Sequence, residues 1–320
     1  MIKIIEKNFW GFLIAGVLAG LFIHVNSENF MVLLKPSLMV MLFLVFLKAD
    51  VLQVIKRIKN YKQALFLVIM YMFIVPILFY EVISLINQEF AIAVLLLASM
   101  PAGAAASVLT DIVDGNTELA ASITIITSMV APFSVVALFE ILNIKILEID
   151  SVGMFTDLAM FIFVPMVLSQ VVKRFFSDKV EKTKHIFASF NVIILTITIF
   201  FIMGAQREMI LDTSIIVILT NLGYLYVVFI LFHIVGYYLG FNEDKKGKIA
   251  TAVGGTYMNN GMAIILAAIY FTPYILLVAV LAEIPWNTLL GPFKKIINMN
   301  NPKLIPIRVI SFGRKLGEKR

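Results

Sequence analysis

The feature that most constrains this chain is a pair of interruptions in long apolar runs. Residues 90–113 form a run long enough to cross a bilayer as a helix, yet Met100-Pro101-Ala102-Gly103 sits in its middle, followed by the small and apolar residues 104–109. Proline has no N–H to donate and clashes with the carbonyl four residues back, and glycine removes the side chain. A spanning helix is expected to break here, near mid-membrane. About 150 residues later a second apolar run is interrupted in the same way, at Gly254-Gly255 and again at Asn259-Asn260-Gly261. Broken backbone at that depth survives only where protein or a watery cavity satisfies the freed N–H and C=O groups. Either break alone also fits a kink in an ordinary packed helix, since Pro and Gly are common in membrane spans. Two of them at matching places in two halves point to the binding site of a secondary transporter.

Composition narrows the class further. Hydrophobic residues make up 61% of the chain, well above the share in soluble domains, so a multi-spanning membrane protein is expected. The absence of cysteine removes disulfides, thiolate metal sites and thiol nucleophiles. His24, His185 and His233 lie far apart, without metal-ligand spacing, and each reads as a helix-end or interhelical polar residue. The net charge of +6 is explained by basic residues flanking membrane spans, so no nucleic-acid partner is implied. No phosphate-binding Gly loop with Lys, nucleophile elbow or His–carboxylate metal pattern appears, so neither an enzyme nor a cofactor is expected. An intramembrane enzyme is the alternative from a different class.

Hydropathy and breakers divide the chain into ten expected spans, near 8–25, 30–46, 63–85, 90–113, 118–142, 152–172, 186–205, 213–240, 248–271 and 273–293. The start, with Lys3 and Lys7, has the form of a signal peptide, but no small-residue cleavage site follows, so the first span reads as retained. Gly16 and Gly20 in that span are placed for close helix packing. Lys35, near one end of the second span, reads as a snorkelling side chain. The spans fall into two groups of five, residues 1–142 and 152–293, each with a broken fourth member, followed by a basic tail, 294–320. Because five is odd, the second group enters from the opposite side, and an inverted repeat is expected within a single transporter domain. If the N-terminus lies inside, 23 of the 26 Lys and Arg face inward and only Lys145 and Arg207 face outward. The positive-inside rule then places both termini in the cytoplasm and the protein in the cell (inner) membrane.

Acidic groups within spans are candidates by default, because each costs a few kcal/mol there. Glu283 lies deepest, whereas Glu81, Glu140 and Asp157 read as solvated helix ends. The carbonyl ends of the first half-helices, near Ser99 and Thr256, suit a cation. The N-terminal ends of the second half-helices, near Ala104 and Gly261, suit an anionic substrate. Ser107, Thr110, Thr124, Thr127, Thr256, Tyr257, Asn259, Asn260 and Asn287 are the neutral polar groups nearby. Most of the hydroxyls are expected to bond their own helix. Asn259 and Asn260 are costlier to bury, and at least one is expected to face substrate.

These residues resemble a known family. Pro101-Ala102-Gly103-Ala104-Ala105-Ala106-Ser107-Val108-Leu109-Thr110, then Gly115-Asn116 and Leu119 to Thr124, is similar to the signature of the fourth and fifth helices of the bile acid:sodium symporter family. Asn259-Asn260-Gly261-Met262-Ala263 with Leu266-Ala267-Ala268 resembles its ninth-helix signature, and Pro76, Pro165 and Trp286 also match. The resemblance implies an all-α fold of ten transmembrane helices, with the fourth and ninth broken and crossing. It also implies a panel (spans 1, 2, 6 and 7) and a core (spans 3–5 and 8–10).

The departures matter as much. The family's sodium-ligand positions fall here on Tyr71, Ala106, Ser107, Ala120, Thr124, Gly254 and Met258, a set without a carboxylate. The substrate-facing ninth-helix Asn is kept as Asn259. The related arsenite exporters use a fourth-helix cysteine, which this chain lacks, while auxin-efflux-type carriers share the architecture and Glu118-Leu119-Ala120-Ala121. The resulting expectation is a carrier of a small organic anion working by alternating access without the two-sodium mechanism. Ala104, Ser107, Thr124, Asn259, Asn260 and Asn287 are expected to meet substrate. Coupling is either to protons through Glu283 or absent. A sodium-dependent carrier with relocated ligands and an auxin-efflux-type carrier are the alternatives, with a non-transport membrane sensor or binding protein the more distant one.

Overall fold

The computed structural model describes residues 9–48 (apart from 24 and 26), 61–103, 105–144 and 150–299. The expectations for the N-terminal lysines, the 49–60 loop, Lys145, His24, Ala104 and most of the tail lie outside the described residues. Everything described is helix or short connection. The first five helices are α1 (Phe9–Phe22), α2 (Ser27–Lys48), α3 (Tyr61–Ile69, a π-helical turn Met70–Ile74, then Val75–Ser84), α4 (Gln88–Ser99) and α5 (Ala106–Ile112). They are followed by α6 (Thr117–Ile141), α7 (Ser151–Thr183), α8 (Phe187–Ala205), α9 (Arg207–Asp212) and α10 (Ile215–Leu239). The last five are α11 (Lys245–Thr256), α12 (Asn260–Tyr270), α13 (Pro273–Leu281), α14 (Glu283–Thr288) and α15 (Leu290–Met299).

Local chemistry sets these boundaries. Asn87, Asn116, Asp150, Asp244, Asn259 and Thr272 each accept a backbone N–H of the first helical turn, capping α4, α6, α7, α11, α12 and α13. Pro76 has no N–H to return to the carbonyl four residues back, and α3 widens just before it: the Val75 N–H reaches Met70, five back. Pro273 opens α13 at the one position where a missing N–H costs nothing. Five helical stretches among the described residues are long and apolar enough to cross a membrane, and α4, α12 and residues 189–205 are shorter apolar helices. That makes the protein an all-helical, multi-pass membrane protein.

Two groups of helices pack together. In one, α1 lies on α8, and α2 lies against both α7 and α8. As expected, Gly16 and Gly20 bring α1 close: a Cβ on Gly20 would lie 2.6 Å from the Phe200 carbonyl oxygen. In the other group α4 is buried on every side, from Phe90 to Leu97, against α3, α6, α12 and α13. A helix apolar all round belongs in a core.

Both apolar runs break, and the breaks meet. Ala102, between α4 and α5, pairs with Met258, between α11 and α12, as a short antiparallel bridge. The Gly103 N–H donates to the Tyr257 carbonyl at 2.7 Å, and the Asn259 N–H to the Pro101 carbonyl at 2.8 Å. The Ala102 N–H is taken by Thr127 Oγ1 of α6 at 3.1 Å. Three of the groups freed by the breaks are thus paired across the crossing or by α6, as burial in a bilayer demands. Gly103 is required by contact: a Cβ there would sit 2.9 Å from the Tyr257 carbonyl oxygen.

Several expectations change. Gly254 and Gly255 do not break the helix; both lie within α11, and Gly261 is the second residue of α12. Their smallness serves packing instead, since a Cβ on Gly255 would lie 2.5 Å from the Tyr71 ring and one on Gly254 3.1 Å from Ile123. Two glycines in the last turn of a buried, close-packed helix lose less than an isolated helix would. The sixth span, expected to end near 172, continues as α7 through the basic residues to Thr183, with a bend at Phe176. The tenth is divided at Ala282, just before Pro285.

Candidate functional site

The crossing borders a cavity of about 510 Å³ between the two helix groups. Its core wall carries Gly103, Ser107, Thr124, Met258, Asn259, Asn260, Gly261, Glu283, Trp286 and Asn287. Every described residue expected to meet substrate or to couple is therefore on one surface. The facing wall is apolar, from Leu38, Met41, Leu42, Val45 and Phe46 of α2 and Val192 and Leu195 of α8, with Lys48 and Asn191 as its polar groups. Asn191 was overlooked in the sequence. It is an uncharged amide inside the apolar α8, and that burial cost was the available signal.

Glu283 is the centre of the polar wall. The Asn260 Nδ2 donates to one carboxyl oxygen at 3.0 Å, and the Asn287 Nδ2 to the other at 3.0 Å. Asn287 is one helical turn beyond Glu283, so the spacing alone puts both on one face. Asn260 comes from α12, and it is the break at residues 257–259 that swings it against α13 and α14, where it also reaches the Ala279 carbonyl at 3.3 Å. Trp286 Nε1 donates to the Met258 carbonyl at 3.1 Å, fixing the broken segment to the same helix. Lys35–Asp157, Lys184–Glu181 and Lys294–Asp114 are ion pairs among the described residues, and Glu283 belongs to none of these three. Asn260 Oδ1 and Asn191 Oδ1, on opposite walls, are buried and accept no hydrogen bond.

The positions matched to sodium ligands are occupied differently. The Tyr71 hydroxyl donates to the Thr251 carbonyl at 2.7 Å and its ring lies on Gly255. Ala106 packs with Val113, Ile249, Val253 and Tyr257, and Ala120 is fully buried. Thr124 Oγ1 bonds its own helix at Ala120, 3.0 Å away. Tyr71, Ala106, Ala120, Gly254, Gly255 and Pro101 do not line the cavity, whereas Ser107, Thr124 and Met258 do.

The other acidic groups divide. Glu81 and Glu140 are exposed near helix ends, as expected, and Glu140 is bonded by Ser151. Asp157 is not a solvated end. It is 8% exposed, both its oxygens lie 2.8 Å from Lys35 Nζ, and Tyr270 donates to it at 2.7 Å. Lys35 therefore pairs rather than snorkels. His233 is buried, with Nδ1 at the Phe229 carbonyl and Nε2 3.2 Å from the Tyr257 hydroxyl, so it reads as an interhelical polar residue.

Two broken helices that cross beside a cavity of mixed polarity in a multi-pass helical protein are the arrangement found at the binding sites of secondary transporters. The chain is a member of the sodium bile acid symporter family, whose sequence pattern matches residues 35–213. It is also 25% identical over 209 residues to a Bacillus subtilis (strain 168) protein described as "Uncharacterized sodium-dependent transporter YocS". That similarity covers 63% of this chain and 62% of the relative's length.

Proposed function

We propose that the protein is a secondary transporter that carries a small organic anion by alternating access and couples it to a proton held at Glu283. The observation that carries this reading is the placing of Glu283, Asn259, Asn260, Asn287, Ser107 and Thr124 on one cavity wall beside the crossing. The positive end of α12, at Gly261, faces the same space and suits the anion's charged group. A carboxylate there opposes an anion by about 4 kcal/mol at about 4 Å with an effective dielectric of about 20. Protonation removes that opposition, so proton and anion favour each other's binding, and linkage makes the effect reciprocal. One proton per anion is the coupling that follows. The polar groups sit on the wall formed by the crossing and the apolar residues on α2 and α8, which supports a core that moves against a panel. The inverted repeat of ten spans, with both termini in the cytoplasm of the inner membrane, belongs to the same proposal.

A sodium-dependent carrier is the second reading, favoured by the family and by the relative's description. The side chains at the matched ligand positions count against it: Tyr71, Ala106 and Ala120 are occupied in packing, and Gly254 offers no side-chain oxygen. The test is a thermal-shift screen of the purified protein against small mono- and dicarboxylic acids, in sodium and in choline, at mildly acid and mildly alkaline pH. The reading expects an acid that stabilises more at the lower pH and equally in the two salts. A stabilisation that needs sodium would contradict it.

A further inference from the structure

The cavity does not use one buried charged group, and that group joins the two helix packs. Asp157 on α7 holds Lys35 of α2 through both carboxyl oxygens, at 2.8 Å each, so this ion pair lies within one pack. The third partner comes from the other pack: Tyr270, the last residue of α12, donates its hydroxyl to Asp157 at 2.7 Å. Position along α2 locates the cluster. Residues 38–48 of that helix line the cavity, and Lys48 at its far end is exposed. Lys35 lies just beyond Leu38 at the opposite end, and at 1.5 Å per residue it is about 20 Å from Lys48 along the helix axis. Tyr270 is also ten residues on from Asn260, so α12 runs from the cavity's polar wall directly to this contact.

We propose that the Tyr270–Asp157 hydrogen bond is a latch that holds the cavity shut at the Lys35 end, and that transport requires its release. The division of labour follows from the chemistry. Lys35 compensates the Asp157 charge whether or not the packs separate, so opening exposes no unpaired charge. What opening gives up is the tyrosine hydroxyl's bond to a charged acceptor, and water at an opened end replaces it. Such a bond shifts an equilibrium by roughly tenfold to a hundredfold. It is strong enough to bias a carrier toward one state and weak enough to be released in each cycle.

The inference rests on the alternating-access reading, and its test separates the two. The chain has no cysteine, so Ala121→Cys on the cavity wall is a single reporter. Vesicles of each orientation are treated with a membrane-impermeant maleimide, with Tyr270 intact or changed to Phe. The reporter in the otherwise unchanged protein is expected to label from the Lys48 side. Tyr270→Phe is expected to raise labelling from the Lys35 side about tenfold. Asp157→Asn keeps an acceptor for the tyrosine and is expected to raise it less. Labelling unchanged by Tyr270→Phe, or raised more by Asp157→Asn, would make the cluster a fixed brace and overturn the latch alone. Labelling from neither side with Tyr270 intact would overturn alternating access, and the latch with it.

Discussion

The two helix breaks follow one plan and do different work. The first, 100–105, is built from Met, Pro, Ala and Gly, and its contribution is backbone: the Gly103 N–H and the Pro101 carbonyl hold the other break. The second, 257–259, gives the same backbone contacts but ends in Asn259, whose side chain caps α12, and leads into Asn260, whose side chain holds Glu283. One break is a platform and the other presents chemistry. The pairing of the two breaks thus fixes where backbone must be interrupted, while the polar side chains gather on one of them.

The largest effect of substitution is expected at the platform. Gly103→Val is expected to abolish the crossing, because even its Cβ would meet the Tyr257 carbonyl oxygen at 2.9 Å. Overpacking against fixed backbone costs about 1–3 kcal/mol or more, and the variant is expected to lose its monodisperse peak on gel filtration or melt well below the parent. Thr127→Val is next. It strands the Ala102 N–H in a buried site, at about 1–3 kcal/mol, and a lower melting temperature without altered ligand preference is the expected result.

Changes on the second break are expected to act on ligand more than on folding. Asn260→Ala removes one donor to Glu283 and is expected to weaken the best-binding acid in the thermal screen while changing the ligand-free melting temperature less than Thr127→Val does. The smallest effect is expected from Tyr71→Phe, which loses a single hydroxyl bond to the Thr251 carbonyl, worth about 1 kcal/mol. It is expected to leave any response to sodium unchanged. A sodium effect that appears or vanishes with Tyr71→Phe would show that this position still governs an ion.

The sequence shows where the chain is interrupted better than it shows what the interruption touches. Pro101 and Gly103 mark the first break directly, since their effect on a helix is local. Gly254 and Gly255 were misleading because a glycine pair signals either a break or a close contact, and only the ring of Tyr71 across the interface decides which. Glu283 and Asn287 share a helical face by spacing alone, so that half of the polar cluster was readable. Asn260 joins them only through the tertiary path of the broken helix. Asp157 was misread for a similar reason: its partners, Lys35 and Tyr270, are 122 and 113 residues away in sequence. The length of α7 was underread because its basic end, counted as a loop by charge, is helical up to Thr183.

In the proposed cycle the anion binds together with a proton held at Glu283. The most direct measurement is proton uptake by the purified protein when the most stabilising acid is added in weak buffer, compared between the parent and Glu283→Gln. Glutamine keeps the shape and removes the titration. At a pH where ligand-free Glu283 has lost its proton, the parent is expected to take up close to one proton per anion bound, added as its salt at that pH, with affinity falling about tenfold per further pH unit. Glu283→Gln is expected to bind the acid with little dependence on pH and without proton uptake. Equal proton uptake by the two proteins would contradict the claim and leave Glu283 a structural residue.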